Sequence, residues 1–81
     1  MNLIDHTEFL DLFLVGQSGS GKTNIYYVRN STGHYLGKIS WFSPWRRYAF
    51  DPATGALLFD AKCLRQIADW CADRTEEHRE K

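Results

Sequence analysis

The chain has 81 residues, of which 43% are hydrophobic and 25% charged. Five Phe, three Trp and four Tyr make 15% aromatic, and ten Lys and Arg balance ten Asp and Glu. That is a single domain's worth of chain, too aromatic for a disordered segment. It is too short and too polar for a multidomain enzyme, a coiled coil, a collagen-like chain or a transmembrane protein.

In chain order, residues 5–14 are predicted to form a short helix. Asp5 and Glu8 have the spacing of a capping box, and Ile4, Phe9, Leu12 and Phe13 can line one stripe. A strand through residues 9–15 is the competing reading. Residues 16–21 are Gly and Ser apart from Gln17, the composition of a linker. Residues 23–29 hold Thr23, Ile25, Tyr26, Tyr27 and Val28 and are predicted to be a strand. A turn at residues 30–33 leads to a second strand over 35–42. The tight Ser43-Pro44 connection leads to a third over 45–50. A Pro-then-Gly turn at residues 51–55 precedes a short fourth strand at 57–59. Asp60 caps a final helix in which Leu64, Ile67, Ala68 and Cys71 share a face that Trp70 widens. A polar tail follows from residue 75. The expected fold is α+β in one small domain. An N-terminal helix and linker occupy 1–21, a three- to four-stranded antiparallel meander 22–59, and a helix packed on one sheet face 60–74.

Pairing arithmetic assigns the faces. If the first hairpin sets Arg29 opposite Tyr35 and the second sets Phe42 opposite Trp45, one face collects Ile25, Tyr27, Ile39, Trp41, Tyr48 and Phe50. That face is the expected core, with Gly37 leaving room between the rings of Tyr27 and Phe50. The other face collects Tyr26, Val28, Leu36, Lys38, Ser40, Phe42, Trp45, Arg47 and Ala49. A slip of one residue in either hairpin exchanges the faces. The strand at 23–29 would be a sheet edge, able to pair with another copy or a partner strand, so a monomer and a homodimer both fit.

Charge is distributed unevenly. Residues 22–50 hold five basic residues (Lys22, Arg29, Lys38, Arg46 and Arg47), no acid and eight of the aromatics, while both flanks are net acidic. Trp, Tyr and Arg dominate binding hot spots, and aromatics with Arg build stacking platforms for single-stranded nucleic acid. The candidate partner-binding residues are Tyr26, Lys38, Phe42, Trp45, Arg46 and Arg47. The competing use of the same rings is core packing.

Residues 16–23 match the phosphate-binding pattern GxxxxGK[ST] letter for letter. That chemistry needs a helix directly after the loop, and the sequence there is strand-like, so the segment is read as a linker. His6, His34 and His78 are scattered away from metal-ligand spacing. No cofactor is expected, and no catalysis. Cys63 and Cys71 are eight residues apart on the final helix, about 12 Å, which is too far for a disulfide. Free buried thiols point to a reducing cytoplasm. The apolar run at residues 9–15 is interrupted by Asp11 and preceded by acids, unlike a signal peptide.

Three stretches resemble small proteins encoded in phage and prophage genomes. They are Leu36-Gly37-Lys38-Ile39-Ser40-Trp41 (LGxIxW), Trp45-Arg46-Arg47-Tyr48-Ala49-Phe50-Asp51-Pro52 (a Trp-Arg-x-Tyr-x-Phe-x-Pro type of stretch) and Cys63-Leu64 with Ile67 (CLxxI). The resemblance spans about residues 22–72. It implies an accessory protein in the cytoplasm of a bacterial host. Such a protein would bind and inhibit a host protein or nucleoprotein complex, with anti-CRISPR or other anti-defence action as its sharpest form. Direct single-stranded nucleic-acid binding is the alternative, and nucleotide binding at residues 16–23 a third.

Overall fold

A computed structural model of the chain describes residues 2–55 and 58–79. They form a five-stranded antiparallel sheet in simple sequential order with one C-terminal helix across one face. The strands are β1 (Asn2–His6), β2 (Leu10–Gln17), β3 (Asn24–Asn30), β4 (Tyr35–Phe42) and β5 (Arg47–Pro52), and the helix is α1 (Ala61–Arg79). The α+β expectation stands, but the sheet has five strands rather than three or four, and no helix forms at the N-terminus.

Residues 2–17 form a hairpin instead. Leu10, Leu12 and Leu14 repeat with period two, and all three join the core. A helix through the same residues would instead set Phe9, Leu12 and Phe13 on one stripe and turn Leu10 off it. The turn is held by Thr7, whose hydroxyl accepts from the Leu10 N–H at 3.1 Å and bonds the side-chain oxygen of Gln66 on α1. Asp5 has no capping role: its carboxylate accepts from Trp70 Nε1 at 2.9 Å and ties β1 to the helix.

Residues 16–21 do not tether anything. Gly16 and Gln17 belong to β2, opposite Ile25 and Asn24, and the remainder closes a β2–β3 hairpin. β3 is therefore the central strand, with no free edge. The fourth strand expected at 57–59 lies partly outside the described residues, and Leu58 and Phe59 belong to no strand.

The face assignment is half right, for a local reason. Arg29 does pair with Tyr35, but Val28 then pairs with Gly37, leaving Leu36 as an extra residue in a β-bulge. From the bulge onward the register differs by one, so Tyr26 and Val28 face the core while Ile25 and Tyr27 face away. At the other hairpin, a 3₁₀ turn over Ser43–Trp45 plus Arg46 makes the loop two residues longer than expected, and Phe42 pairs with Arg47. A shift of two preserves parity, so Ile39, Trp41, Tyr48 and Phe50 keep their expected face. Gly37 has φ +151°, and a Cβ there would lie 2.3 Å from the Asp51 carbonyl oxygen and 2.9 Å from Phe50 Cζ. The Phe50 ring does crowd Gly37, while Tyr27 lies on the opposite face.

α1 begins at Ala61 with the Asp60 carboxylate accepting from the Cys63 N–H at 2.8 Å, the expected N-cap. It continues to Arg79, beyond the expected end at 74. Ile67, Trp70 and Thr75 are its buried residues. Leu64, placed on the inner face by periodicity, is 48% exposed. The helix is rotated so that Trp70 meets the Tyr26 ring edge-on, with centroids 4.6 Å apart. The core beneath it is Leu10, Leu12, Val28, Leu36, Ile39 and Tyr48.

Both sheet edges are blunted. On β5 the Tyr48 N–H, which faces away from the ladder, donates to the Thr75 hydroxyl at 2.9 Å, and that hydroxyl donates to the Cys71 carbonyl. On β1 a register shift between Leu3 and Asp5 breaks the regular edge.

Candidate functional site

The sheet face opposite α1 carries no second layer among the described residues. The alternation of the strands puts Phe13 from β2, Tyr27 and Arg29 from β3, and Asp51 and Arg47 from β5 on it. β4 contributes Tyr35, Lys38 and Phe42. Four large rings are exposed: Trp45 at 62%, Tyr35 at 45%, Phe42 at 42% and Tyr27 at 36%. They stand in two pairs. Tyr27 and Tyr35 have centroids 5.1 Å apart, and Phe42 and Trp45 meet edge-on at 4.7 Å. Phe13 is more buried, with the Arg29 guanidinium 4.5 Å above its ring. A shallow hollow of about 320 Å³ runs between Lys38, Phe42, Trp45 and Asp51.

Of the residues expected to bind a partner, Lys38, Phe42, Trp45 and Arg47 meet on this face or its rim. Tyr26 does not. It is buried under α1 because the Leu36 bulge turns β3 over, and Tyr27 takes its place outside. Arg46 is not a strand residue at all. It sits at φ 54°, ψ 47°, the left-handed end of the 3₁₀ turn, with its N–H bonded to the Phe42 and Ser43 carbonyls. Its own carbonyl accepts from Arg79 Nη2 at 3.4 Å. Arg47 is held at the rim by a 3.3 Å bond from Nε to the Trp45 carbonyl. Sequence reasoning missed Tyr27, Tyr35, Phe13 and Arg29. The available signal was Leu36, an apolar residue next to Gly37 at a position where a bulge would bury it.

The face is electrically mixed. Lys38 lies opposite Asp51, and Arg29 lies opposite Asp11, so three bases are offset by two acids. Burial pushes the Tyr35 hydroxyl above its ordinary pKa, and the nearby Tyr27 and Asp51 push the same way.

The loop with the phosphate-binding pattern is a hairpin. The Ser18 N–H donates to the Thr23 carbonyl at 2.8 Å and the Gly21 N–H to the Ser18 carbonyl at 2.9 Å, so these donors are spent inside the loop. β3, not a helix, follows it. Beside the loop a cavity of about 290 Å³ opens against the last turns of α1. His78, at its border, packs on the Trp41 ring with centroids 4.4 Å apart.

Cys63 and Cys71 are free and partly buried. Burial raises both thiols, Cys71 to about 11, and Asp60 adds to the rise at Cys63. Neither is a ready nucleophile at neutral pH. Among the described residues no group of three or more His, Cys, Asp and Glu is placed to hold a metal ion, and no helix is long and apolar enough to cross a membrane. Comparison with family models, curated proteins and solved structures gave no match to this chain.

Proposed function

We propose that the protein is a non-catalytic binding module that docks a partner protein, or the protein part of a nucleoprotein complex, on the open face of its sheet. The supporting observation is the cluster of exposed Tyr27, Tyr35, Phe42 and Trp45 rimmed by Lys38 and Arg47. Aromatic and Arg side chains supply most interface energy, and Tyr and Trp do so at low rotamer cost. The ring pairs are already preorganised against one another, which lowers the entropy lost on docking. With the resemblance to phage and prophage accessory proteins, the partner class is a host protein or nucleoprotein complex. Inhibition of a defence complex, as an anti-CRISPR protein would do, is the sharpest form of the reading.

A second reading, single-stranded nucleic acid on the same rings, draws on the alternation of aromatics with Arg29, Lys38 and Arg47. Asp11 and Asp51 cut the electrostatic term on which that binding depends, and edge-on ring pairs offer less flat surface for bases. Fluorescence anisotropy with labelled single strands at low salt separates the two. The protein-docking reading predicts no saturable change, and a salt-sensitive rise that Trp45→Ala abolishes would favour nucleic acid instead.

A further inference from the structure

From the donors that converge in the cavity between the β2–β3 loop and the C-terminal turns of α1, we infer a binding site for a single phosphoryl group there. It is separate from the open face. The cavity is bounded by Lys22, Asn24, Tyr26, Tyr48, Arg74 and His78. Asn24 organises it. Its backbone N–H donates to the Tyr48 hydroxyl at 3.3 Å, and its side-chain amide donates to the Tyr26 hydroxyl at 3.1 Å. Each phenol oxygen is thereby used as an acceptor, and its own O–H is left to donate into the cavity.

Arg74 contributes a further donor. Its guanidinium lies 4.4 Å from the Trp70 ring centroid and is fixed by a 3.1 Å bond from Nη2 to Glu77. Its Nε is buried and has no hydrogen-bond partner among the described residues. That atom is closed to solvent against the Trp70 ring, so what Arg74 offers an oxyanion in the cavity is its charge and its outer Nη–H groups. Lys22 brings a second full positive charge from the loop, and the His78 ring borders the cavity.

The remaining charge is Glu77, which is satisfied by Arg74. The carbonyl end of α1 also opposes an anion, an effect confined to the last turn and screened by salt. Glu77 and Arg74 therefore offset one another, and the net charge on the cavity is the single positive charge of Lys22, to which the two phenol donors add. At about 290 Å³ the cavity lies just below the range of drug-sized ligand sites and has ample room for a phosphoryl group. This chemistry differs from that of the GxxxxGK[ST] pattern, since side chains supply the donors while the loop backbone bonds to itself.

The test is a titration of the full chain with inorganic phosphate, followed by amide and Arg Nε NMR, with chloride holding ionic strength constant. Saturable shifts should centre on Lys22, Thr23, Asn24 and the Arg74 Nε–H. AMP should reproduce them and adenosine should not. Lys22→Gln lies in an exposed loop and will fold, and Arg74→Gln removes the guanidinium from the cavity wall. Each should weaken phosphate binding about tenfold or more, the loss of one charge-assisted hydrogen bond. Arg47→Ala should leave it unchanged. Absence of saturation over chloride would overturn the inference. So would adenosine binding as well as AMP, wild-type affinity in both variants, or loss of binding in Arg47→Ala, which would move the site to the open face.

Discussion

Thr75 shows how much can depend on one hydroxyl. It accepts from the Tyr48 N–H of the edge strand and donates to the Cys71 carbonyl of its own helix, so it closes the sheet edge and fastens α1 with the same atom. Thr75→Val keeps the shape and strands a buried N–H. Urea denaturation should show a loss of about 1–3 kcal/mol, with Thr75→Ser recovering most of it. Gly37→Ala should destabilise, whereas the same exchange in regular structure usually gains about 0.5–1 kcal/mol. The atom its Cβ would strike is a backbone oxygen that cannot swing aside. Cys71 sets a pH limit. Its thiol is raised from 9.0 to about 11 by burial. A group whose folded pKa exceeds its unfolded one gives stability that is complete below the unfolded value and is lost as pH rises through the folded one. The urea midpoint should therefore fall between about pH 9 and 11, and fall less in Cys71→Ala.

At the scale of elements, the sequence was most readable where period and punctuation agreed. β4 appeared at its observed bounds, the Asp60 cap marked the start of α1, and the Gly/Ser loop was followed by a strand. It failed where two apolar periods overlapped. Residues 9–15 are apolar at nearly every position, so helix and strand patterns both fit, and only pairing with β3 on one side and β1 on the other selects the strand. It failed again at Leu36, because a bulge is a property of the ladder rather than of the residue. That one extra residue moved Tyr26 from the candidate site into the core and Tyr27 out. On the helix, Trp70 is inward as expected, held by Asp5 at its N–H and by the Tyr26 ring, but that seating turns Leu64 outward. Alanine substitutions test that seating, with Leu64 the residue on which the observed and the periodic faces differ. Trp70→Ala should cost about 3–5 kcal/mol. Leu64→Ala, at an exposed position, should stay within about 0.5 kcal/mol. Equal effects of the two in denaturant titrations would contradict the placement.

Over the whole molecule, one side of the sheet is spent on stability and the other is left free. α1 covers the first, both edges are blunted, and the rings that a small domain can least spare from its core stand on the second. That division is what a rigid docking surface requires, because substitutions on the open face can alter binding without loosening the fold. The double variant Phe42→Ala/Trp45→Ala should keep the wild-type denaturation midpoint to within a few degrees, since both rings are exposed. The most direct test of the account is quantitative capture from bacterial host lysate by three forms of the full chain: wild type, Phe42→Ala/Trp45→Ala/Arg47→Ala, and Arg65→Ala/Asp69→Ala on the outer side of α1. The wild type and the helix variant should each capture a stoichiometric partner, and the open-face variant none. A partner retained by the open-face variant, or lost only with the helix variant, would contradict it.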